Sequence, residues 1–156
     1  DDSMEYGVIT HATKCSACPG GFHQPAPETV FCIPCNAGTR SNTTVGAAAC
    51  TTCPAGTSSS TGSATCAPCS VGKYQPSENS DTCIACTAGK FQNVTGATAC
   101  EDCLPGLAQP GSGADKCDEC RAGTFAAENG SSSCTSCGAG KFQNAMGGTT
   151  CKNCLA

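Results

Sequence analysis

Residues 86–103 read CTAGKFQNVTGATACEDC: a cysteine, a glycine three positions later, an aromatic residue two positions after that, and a closing Cys-x-x-Cys pair. This pattern recurs along the chain, because the 18 cysteines form nine Cys-x-x-Cys pairs that follow one another at intervals close to 17 residues. A short fixed period predicts a tandem array in which each unit contacts its neighbours, instead of a globule with one core.

The composition indicates that sulfur chemistry replaces apolar burial. The 156 residues include no Trp, five Phe and two Tyr, too few large side chains to offset the entropy lost on ordering the chain. Cysteine accounts for 18 of the 156 residues, which is typical of a disulfide scaffold. Disulfides at this density persist in oxidising compartments, so the chain is predicted to be secreted and to lie outside the cell or at its surface.

The charge and hydropathy patterns exclude several classes of protein. The net charge is −4, and the eight Lys and Arg residues form no basic cluster, so nucleic acid is not expected as a partner. No apolar run reaches the roughly 18 residues that a membrane span needs, and no signal-peptide core is present. The opening Asp1-Asp2-Ser3 is expected for a mature N-terminus after signal removal.

Aligned on the second cysteine of each pair, the units share the consensus C-x-x-G-K/T-F/Y-Q-x-x-x-x-G-x-x-x-C-x-x-C. The first glycine recurs in all eight units: Gly21, Gly38, Gly56, Gly72, Gly89, Gly106, Gly123 and Gly140. A second glycine marks another turn at Gly46, Gly62, Gly96, Gly113, Gly130 and Gly147. Glycine at a fixed place indicates positive φ or a close backbone approach.

These turns predict the fold class: a small disulfide-rich, elongated tandem-repeat ribbon of about eight 17-residue units with short β-hairpins and almost no helix. One aromatic ring per unit, at Tyr74, Phe91, Phe125 and Phe142, is expected to form a miniature core over a disulfide. The predicted organisation is an N-terminal arm at 1–14 with a strand-prone Tyr6–Thr10, tandem repeats at 15–154 and a tail at 155–156.

Spacing alone does not fix the disulfide connectivity. Bonds inside each Cys-x-x-Cys would leave the long loops open, whereas a bond from each second cysteine to the next first cysteine closes a loop of roughly 15 residues, worth about 3 kcal/mol in the chain-entropy model. The favoured ladder is therefore Cys18–Cys32, Cys35–Cys50, Cys53–Cys66, Cys69–Cys83, Cys86–Cys100, Cys103–Cys117, Cys120–Cys134 and Cys137–Cys151.

The ladder leaves Cys15 and Cys154 over, which indicates either an intermolecular disulfide or a chain cut from a longer array. Zinc held by four thiolates is the minor alternative, because the same pairs have suitable spacing. An acidic chain rich in Ser and Thr favours disulfides, and no metal or other cofactor is expected.

Residues 53–69, CPAGTSSSTGSATCAPC, resemble the cysteine-rich repeats found beside ephrin-receptor ectodomains and in many surface proteins of algae and protists. The loop also resembles the first half-module of tumour-necrosis-factor-receptor cysteine-rich domains. The resemblance covers residues 15–154 and implies the ladder pairing, since the corresponding cysteines of that half-module are bonded to each other. Four units depart from the pattern, with His23, Arg40, Ser58 and Ala108 at the aromatic position.

No catalytic constellation is present, so the chain is not expected to be an enzyme. The two histidines, His11 and His23, have no nucleophile pattern around them and are expected to be ordinary surface residues. Three Asn-x-Ser/Thr sequons, at Asn42, Asn93 and Asn129, lie mid-loop, where a glycan would project outward.

The leading hypothesis is an extracellular structural protein, a glycosylated disulfide-laddered rod that assembles into a filament, surface hair or coat. Its expected partners are copies of itself, joined head-to-tail through residues 1–15 of one chain and 137–156 of the next and locked by Cys15–Cys154. The alternative is a receptor-type or surface-antigen ectodomain that binds a protein ligand.

Overall fold

The computed structural model describes residues 18–25, 31–42 and 47–154. The predicted arm at 1–14 with its Tyr6–Thr10 strand, His11, Cys15 and the tail at 155–156 lie outside the described residues. We number the repeats by their loops: repeat 1 (18–32), 2 (35–50), 3 (53–66), 4 (69–83), 5 (86–100), 6 (103–117), 7 (120–134) and 8 (137–151).

The described residues contain sixteen two-residue β-strands and no helix. The strands are β1 (Phe22–His23), β2 (Ile33–Pro34), β3 (Thr39–Arg40), β4 (Thr51–Thr52), β5 (Thr57–Ser58), β6 (Ala67–Pro68), β7 (Lys73–Tyr74), β8 (Ile84–Ala85), β9 (Lys90–Phe91), β10 (Glu101–Asp102), β11 (Leu107–Ala108), β12 (Asp118–Glu119), β13 (Thr124–Phe125), β14 (Thr135–Ser136), β15 (Lys141–Phe142) and β16 (Lys152–Asn153).

Consecutive strands pair into eight two-stranded sheets, from β1–β2 to β15–β16. The first strand follows the first glycine, and the second strand is the pair of residues inside the next Cys-x-x-Cys. In the hairpin of β9 and β10, Phe91 faces Glu101 and Lys90 faces Asp102 in an antiparallel register. A bond from the Cys103 amide to the Gly89 carbonyl extends this ladder at 2.9 Å.

Eight disulfides join the second cysteine of each pair to the first cysteine of the next pair, with Cα–Cα distances of 5.6 to 5.8 Å. They connect Cys18–Cys32, Cys35–Cys50, Cys53–Cys66, Cys69–Cys83, Cys86–Cys100, Cys103–Cys117, Cys120–Cys134 and Cys137–Cys151. The predicted class, a small disulfide-rich tandem-repeat ribbon of short hairpins, is confirmed.

The contacts divide the described residues into two compact units. The first contains the described residues up to Pro54, together with Ser58–Ala67 and Glu78–Thr82. The second contains Ala55–Thr57, Pro68–Ser77 and the described residues from Cys83 onward. The same scheme of contacts between repeats is present inside each unit.

Three backbone hydrogen bonds join a repeat to the one that follows it. In the second unit, the Gly89 amide donates to the Gln109 carbonyl at 2.7 Å, and the Gln92 amide donates to the Ala114 carbonyl at 3.1 Å. In return, the Gly113 amide donates to the Cys86 carbonyl at 2.7 Å. Because only backbone groups take part, the side chains of the loops are free to vary between repeats.

The first unit repeats this scheme with different side chains. The Gly38 amide donates to the Ser59 carbonyl at 2.8 Å, the Ser41 amide to the Ser63 carbonyl at 3.4 Å, and the Gly62 amide to the Cys35 carbonyl at 2.8 Å. Ser41 and Ser59 therefore occupy the position that is glutamine in several repeats of the second unit, and the backbone hydrogen bonds between repeats are the same.

The first glycine of a repeat is also in close contact with the second turn two repeats further on. Gly89 has φ 81°, and a Cβ atom built there would lie less than 3.0 Å from the Gly130 carbonyl oxygen. In the first unit, Gly38 approaches the Asn79 carbonyl in the same way. Asn79 stands at the second-turn position of repeat 4 and has φ 57°, a conformation that asparagine adopts more readily than most residues.

The core of the repeats is made of sulfur. Among the described residues, the largest fully buried side chains are seven second cysteines: Cys18, Cys35, Cys53, Cys69, Cys86, Cys103 and Cys120. The prediction that an aromatic ring per repeat forms the core is wrong, because Tyr74, Phe91 and Phe125 are only half-buried and Phe142 is exposed. The first cysteines, at the loop ends, are half-buried.

Two alanines also belong to the buried core, at positions where other repeats have an aromatic residue or a glutamine. Ala108 and Ala126 are buried and form one cluster with Cys120, against which Cys134 packs. Ala108 of repeat 6 occupies the aromatic position, and it therefore lies over the disulfide of repeat 7. In this repeat a small alanine, and not the predicted aromatic ring, packs against the disulfide.

The glutamine that recurs three residues after the first glycine makes hydrogen bonds within its own loop. Gln92 accepts a hydrogen bond from the Val94 amide at 3.0 Å and donates its Nε2 to the Ala99 carbonyl at 2.8 Å. Gln109 and Gln143 make the equivalent pairs of bonds in repeats 6 and 8. The side chain spans the loop from the first turn to the residues before the closing cysteine.

Replacing Gly89 with alanine is expected to destabilise the array more than replacing Gly123. Both residues have left-handed backbone, with φ 81° and 84°, so both substitutions carry the roughly 1–2 kcal/mol cost of a Cβ atom in that conformation. Only Gly89→Ala adds a collision with the Gly130 carbonyl, since no neighbouring atom of the described residues lies within 4 Å of a Cβ atom at Gly123. Native-state hydrogen exchange at the Gly130 amide measures the difference, and equal losses would contradict the two-repeat contact.

Candidate functional site

The three sequon asparagines are exposed. Asn42 and Asn93 lie just after the first strand of a hairpin, and Asn129 directly precedes the second turn, at Gly130. The Ser131 hydroxyl donates to the Glu128 carbonyl at 2.7 Å, which orders the turn around the third sequon. These positions allow an attached glycan to extend into solvent without displacing the stacked backbone.

The second strands of two consecutive hairpins carry exposed acidic side chains, Glu101–Asp102 on β10 and Asp118–Glu119 on β12. Lys90 and Asp102 form an ion pair at 2.5 Å, with 43% and 49% of the two side chains exposed. An exposed pair of this kind contributes about 1 kcal/mol or less. The sequence analysis did not single out this acidic surface, although it is visible as charged residues inside Cys-x-x-Cys.

Among the described residues, the exposed large apolar side chains are Phe31, Val71, Ile84, Val94, Leu104, Phe142 and Met146. They occupy different places in the repeat, and single exposed apolar residues are normal on protein surfaces. Aromatic and Arg anchors are typical of protein-binding sites. Here Arg40 is half-buried on β3, whereas Arg121 is exposed in repeat 7.

An open polar cleft lies in the first unit, and its volume is about 290 Å³. It is lined by Ser58, Ser59, Ser60, Ser63, Ala64, Thr65, Ala67 and Asp81. Five hydroxyl groups and one carboxylate make this surface hydrophilic, and its lining contains no aromatic ring. Sequence reasoning did not find the cleft, because Asp81 comes from the following repeat.

His23 is not the ordinary surface residue predicted from the sequence. It is half-buried on β1, and its Nδ1 lies 3.1 Å from the Ile33 carbonyl oxygen and 3.2 Å from Cys50 Sγ. A carbonyl oxygen and a disulfide sulfur can only accept hydrogen bonds. Both contacts are therefore satisfied when Nδ1 carries the proton and donates it.

One ring nitrogen of His23 and the sulfurs of Cys35 and Cys50 lie within 4.8 Å of one another. These residue types can bind zinc as thiolates and neutral imidazole. The two sulfurs are joined in a disulfide here, so the trio offers no thiolate. The same holds for the other described cysteine pairs that the zinc alternative would use, apart from Cys154, which is exposed and free.

The described residues contain no helix long and apolar enough to span a membrane. Their repeated features are structural: a buried sulfur, two glycine turns and a hairpin in each repeat. The chemistry that the surface offers lies in the sequons, the acidic strands, the hydroxyl cleft and the His23 contact.

A protein-family model for tyrosine-protein kinase ephrin type A/B receptor-like repeats matches residues 56–103, 77–120 and 123–156. The matches cover more than half of the chain. The chain belongs to the ephrin-receptor-like cysteine-rich repeat family. No curated protein matches it closely enough to count as a relative.

Ephrin-receptor-like repeats and extensive disulfides are typical of extracellular or cell-surface domains. The matched stretches begin inside repeat 3, although repeats 1 and 2 contain the same disulfides and glycine turns. Family membership agrees with the resemblance seen in the sequence and indicates a receptor-like repeat module outside the cell.

Peptide mapping of the native, unreduced protein is expected to recover the eight neighbour-to-neighbour disulfides of the structure. Each bond closes a loop with a sequence separation of 13 to 15 residues, so its removal is expected to cost about 3 kcal/mol. Proteolysis between the bonded cysteines followed by mass spectrometry identifies the pairs, with a reduced and alkylated sample as the control. Stoichiometric zinc together with free thiols in denaturant would contradict the ladder.

Proposed function

We propose that this ephrin-receptor-like repeat protein is a non-enzymatic extracellular structural protein that assembles into a filament, surface hair or coat. The observation that carries the proposal is the stacking itself. Each repeat is held to the next by backbone hydrogen bonds and glycine contacts. Any repeat of this type can therefore stack on any other, whether it belongs to the same chain or to a second copy.

The last repeats of an array present a stacking surface. In repeats 1–6 the first glycine lies against a carbonyl two repeats on, whereas no neighbouring atom of residues 18–25, 31–42 and 47–154 lies within 4 Å of a Cβ atom built at Gly123 or Gly140. Cys137 is half-buried, while the seven second cysteines before it are fully buried. A following repeat covers these groups elsewhere in the array. A further repeat, whether in the same chain or in a second copy, is therefore a suitable occupant.

The proposed organisation is an arm at 1–14, repeats at 15–154 and a tail at 155–156. Residues 1–15 of one chain would contact residues 137–156 of the next, and a Cys15–Cys154 disulfide would lock the joint. The exposed Cys154 thiol supports the second half of this arrangement. A head-to-tail contact that does not close on itself produces an open fibre.

The alternative is a receptor-type or surface-antigen ectodomain that binds a protein ligand. The receptor-like family description is the observation that favours it. In that case the stack serves as a rigid spacer, and the purified protein remains as separate short particles at all concentrations.

Gly140→Asn is expected to shorten or abolish filaments without unfolding the protein. Gly140 has φ 74°, and in the part of the chain that the structure describes no neighbouring atom lies within 4 Å of its Cβ position. Asparagine tolerates this conformation, as Asn79 does. The added side chain would occupy the space that a stacked repeat needs. Electron microscopy of wild-type and variant protein measures filament length.

Gly113→Asn is the matched control, because Gly113 has φ 72° and its nearest Cβ contact is 3.8 Å away. Gly113 lies at the second turn of repeat 6, and Asn79 occupies the equivalent position in repeat 4. Deleting residues 1–14 and replacing Cys154 with serine test the arm and the disulfide separately. Wild-type particles that never join end to end would exclude the filament, and normal filaments of Gly140→Asn would exclude this joint.

Native protein is expected to carry N-linked glycans at Asn42, Asn93 and Asn129. All three side chains are exposed, and a glycan on any of them leaves the inter-repeat hydrogen bonds intact. Intact-glycopeptide mass spectrometry before and after enzymatic deglycosylation tests each site. Three unmodified asparagines in native material would count against a eukaryotic secretory route.

A further inference from the structure

Repeat 1 differs from the other repeats in the residue that lies over the next disulfide. His23 occupies the aromatic position of repeat 1 and contacts the Cys35–Cys50 disulfide of repeat 2, with Nδ1 3.2 Å from Cys50 Sγ. The equivalent positions in later repeats hold Arg40, Ser58, Tyr74, Phe91, Ala108, Phe125 and Phe142. Unlike these seven side chains, the imidazole of His23 combines a directed N–H donor with ready proton exchange.

The two sulfurs of this disulfide differ in access. Cys35 is 0% exposed, whereas Cys50 is half-buried at the end of its loop. A thiolate from solution therefore reaches Cys50, and the sulfur that must leave is Cys35. A buried leaving thiolate without a partner is unfavourable, because burial in an apolar environment disfavours its charge.

We propose that the Cys35–Cys50 disulfide is a site of covalent attachment for small-molecule thiols, with His23 assisting the departure of Cys35. The thiolate attacks Cys50 Sγ, a new S–S bond forms between the two, and the Cys35–Cys50 bond breaks with its electron pair on Cys35. Nδ1 of His23 contacts Cys50 Sγ at 3.2 Å, and Cys35 Sγ lies no more than 4.8 Å from a ring nitrogen of His23. A small shift of the Cys35 sulfur, once its bond to Cys50 has broken, brings it within hydrogen-bonding distance of the imidazole.

The step conserves atoms and electrons. One thiol and one disulfide become one mixed disulfide, at Cys50, and one thiol, at Cys35. His23 gives its Nδ1 proton to Cys35 while its other ring nitrogen takes a proton from water, and the entering thiol has released one proton to water. No external oxidant or reductant is needed, and the site does not depend on the proposed filament function.

The position of His23 makes this disulfide more reactive than the others. The Ile33 carbonyl accepts a bond from Nδ1 at 3.1 Å and holds the ring against the sulfur before any thiol arrives. The Cys103–Cys117 disulfide is the internal comparison, because the equivalent residue of the preceding repeat is Phe91. The phenyl ring at that position supplies neither a hydrogen bond nor a proton.

The test exposes the whole oxidised protein to a limiting amount of reduced glutathione, quenches the reaction with acid, alkylates the free thiols and maps the peptides. Glutathione is expected on Cys50 and the alkyl group on Cys35. The rate should exceed that at Cys103–Cys117 by about a hundredfold, the low end of what a positioned general acid contributes.

His23→Phe places in repeat 1 the residue that repeats 5, 7 and 8 have at this position. It is expected to lower the rate at Cys35–Cys50 about a hundredfold, the low end of the effect of losing general-acid assistance. A purely packing role for His23 predicts the opposite, because looser packing would expose the disulfide and speed its opening. The reciprocal variant, Phe91→His, is expected to raise the rate at Cys103–Cys117.

Three results would overturn the proposal: equal rates at all eight disulfides, glutathione on Cys35 instead of Cys50, or an unchanged rate in His23→Phe. If His23→Phe does not form the native disulfides, Phe91→His decides the question, since it moves the imidazole and leaves repeat 1 intact. No gain at Cys103–Cys117 in that variant would also overturn it.

Discussion

The whole array depends on one covalent constraint, the disulfide from the second cysteine of one pair to the first cysteine of the next. Each bond closes a loop with a sequence separation of 13 to 15 residues and removes about 3 kcal/mol of chain entropy from the unfolded state. The bond also provides the core, because seven of the second cysteines are fully buried. A chain with no Trp and few other aromatic residues can therefore form ordered repeats.

Glycine and backbone hydrogen bonds then determine how the closed loops stack. The first glycine adopts left-handed φ, donates its amide to the next repeat and packs against a carbonyl two repeats further on. A side chain at this position would collide with backbone, which does not move aside as a flexible side chain can. The second turn is less crowded, and this explains why Asn79 is accommodated there with φ 57°.

Because the stacking uses backbone groups, the surface of each repeat can change without changing the fold. Sequons, acidic strands and hydroxyl groups are distributed over repeats that share one scaffold. His23 is the clearest departure, since it replaces an apolar ring with a group that donates hydrogen bonds to a disulfide sulfur. The uniform stack supports a structural role, and the single altered contact supports a local chemical one.

The sequence by itself determined the period, the left-handed glycines, the neighbour-to-neighbour ladder that physical reasoning favoured and the absence of helix from the described repeats, because loop closure and turn geometry depend on spacings within one repeat. Only the tertiary structure decided what forms the core and what touches across repeats. Gly38 approaches Asn79 and His23 contacts Cys50, and these pairs belong to different repeats, so no spacing within one unit predicts them. The prediction of an aromatic core was wrong for the same reason. The stacked neighbours bury the small sulfur atoms at the centre and leave the larger rings at the edge.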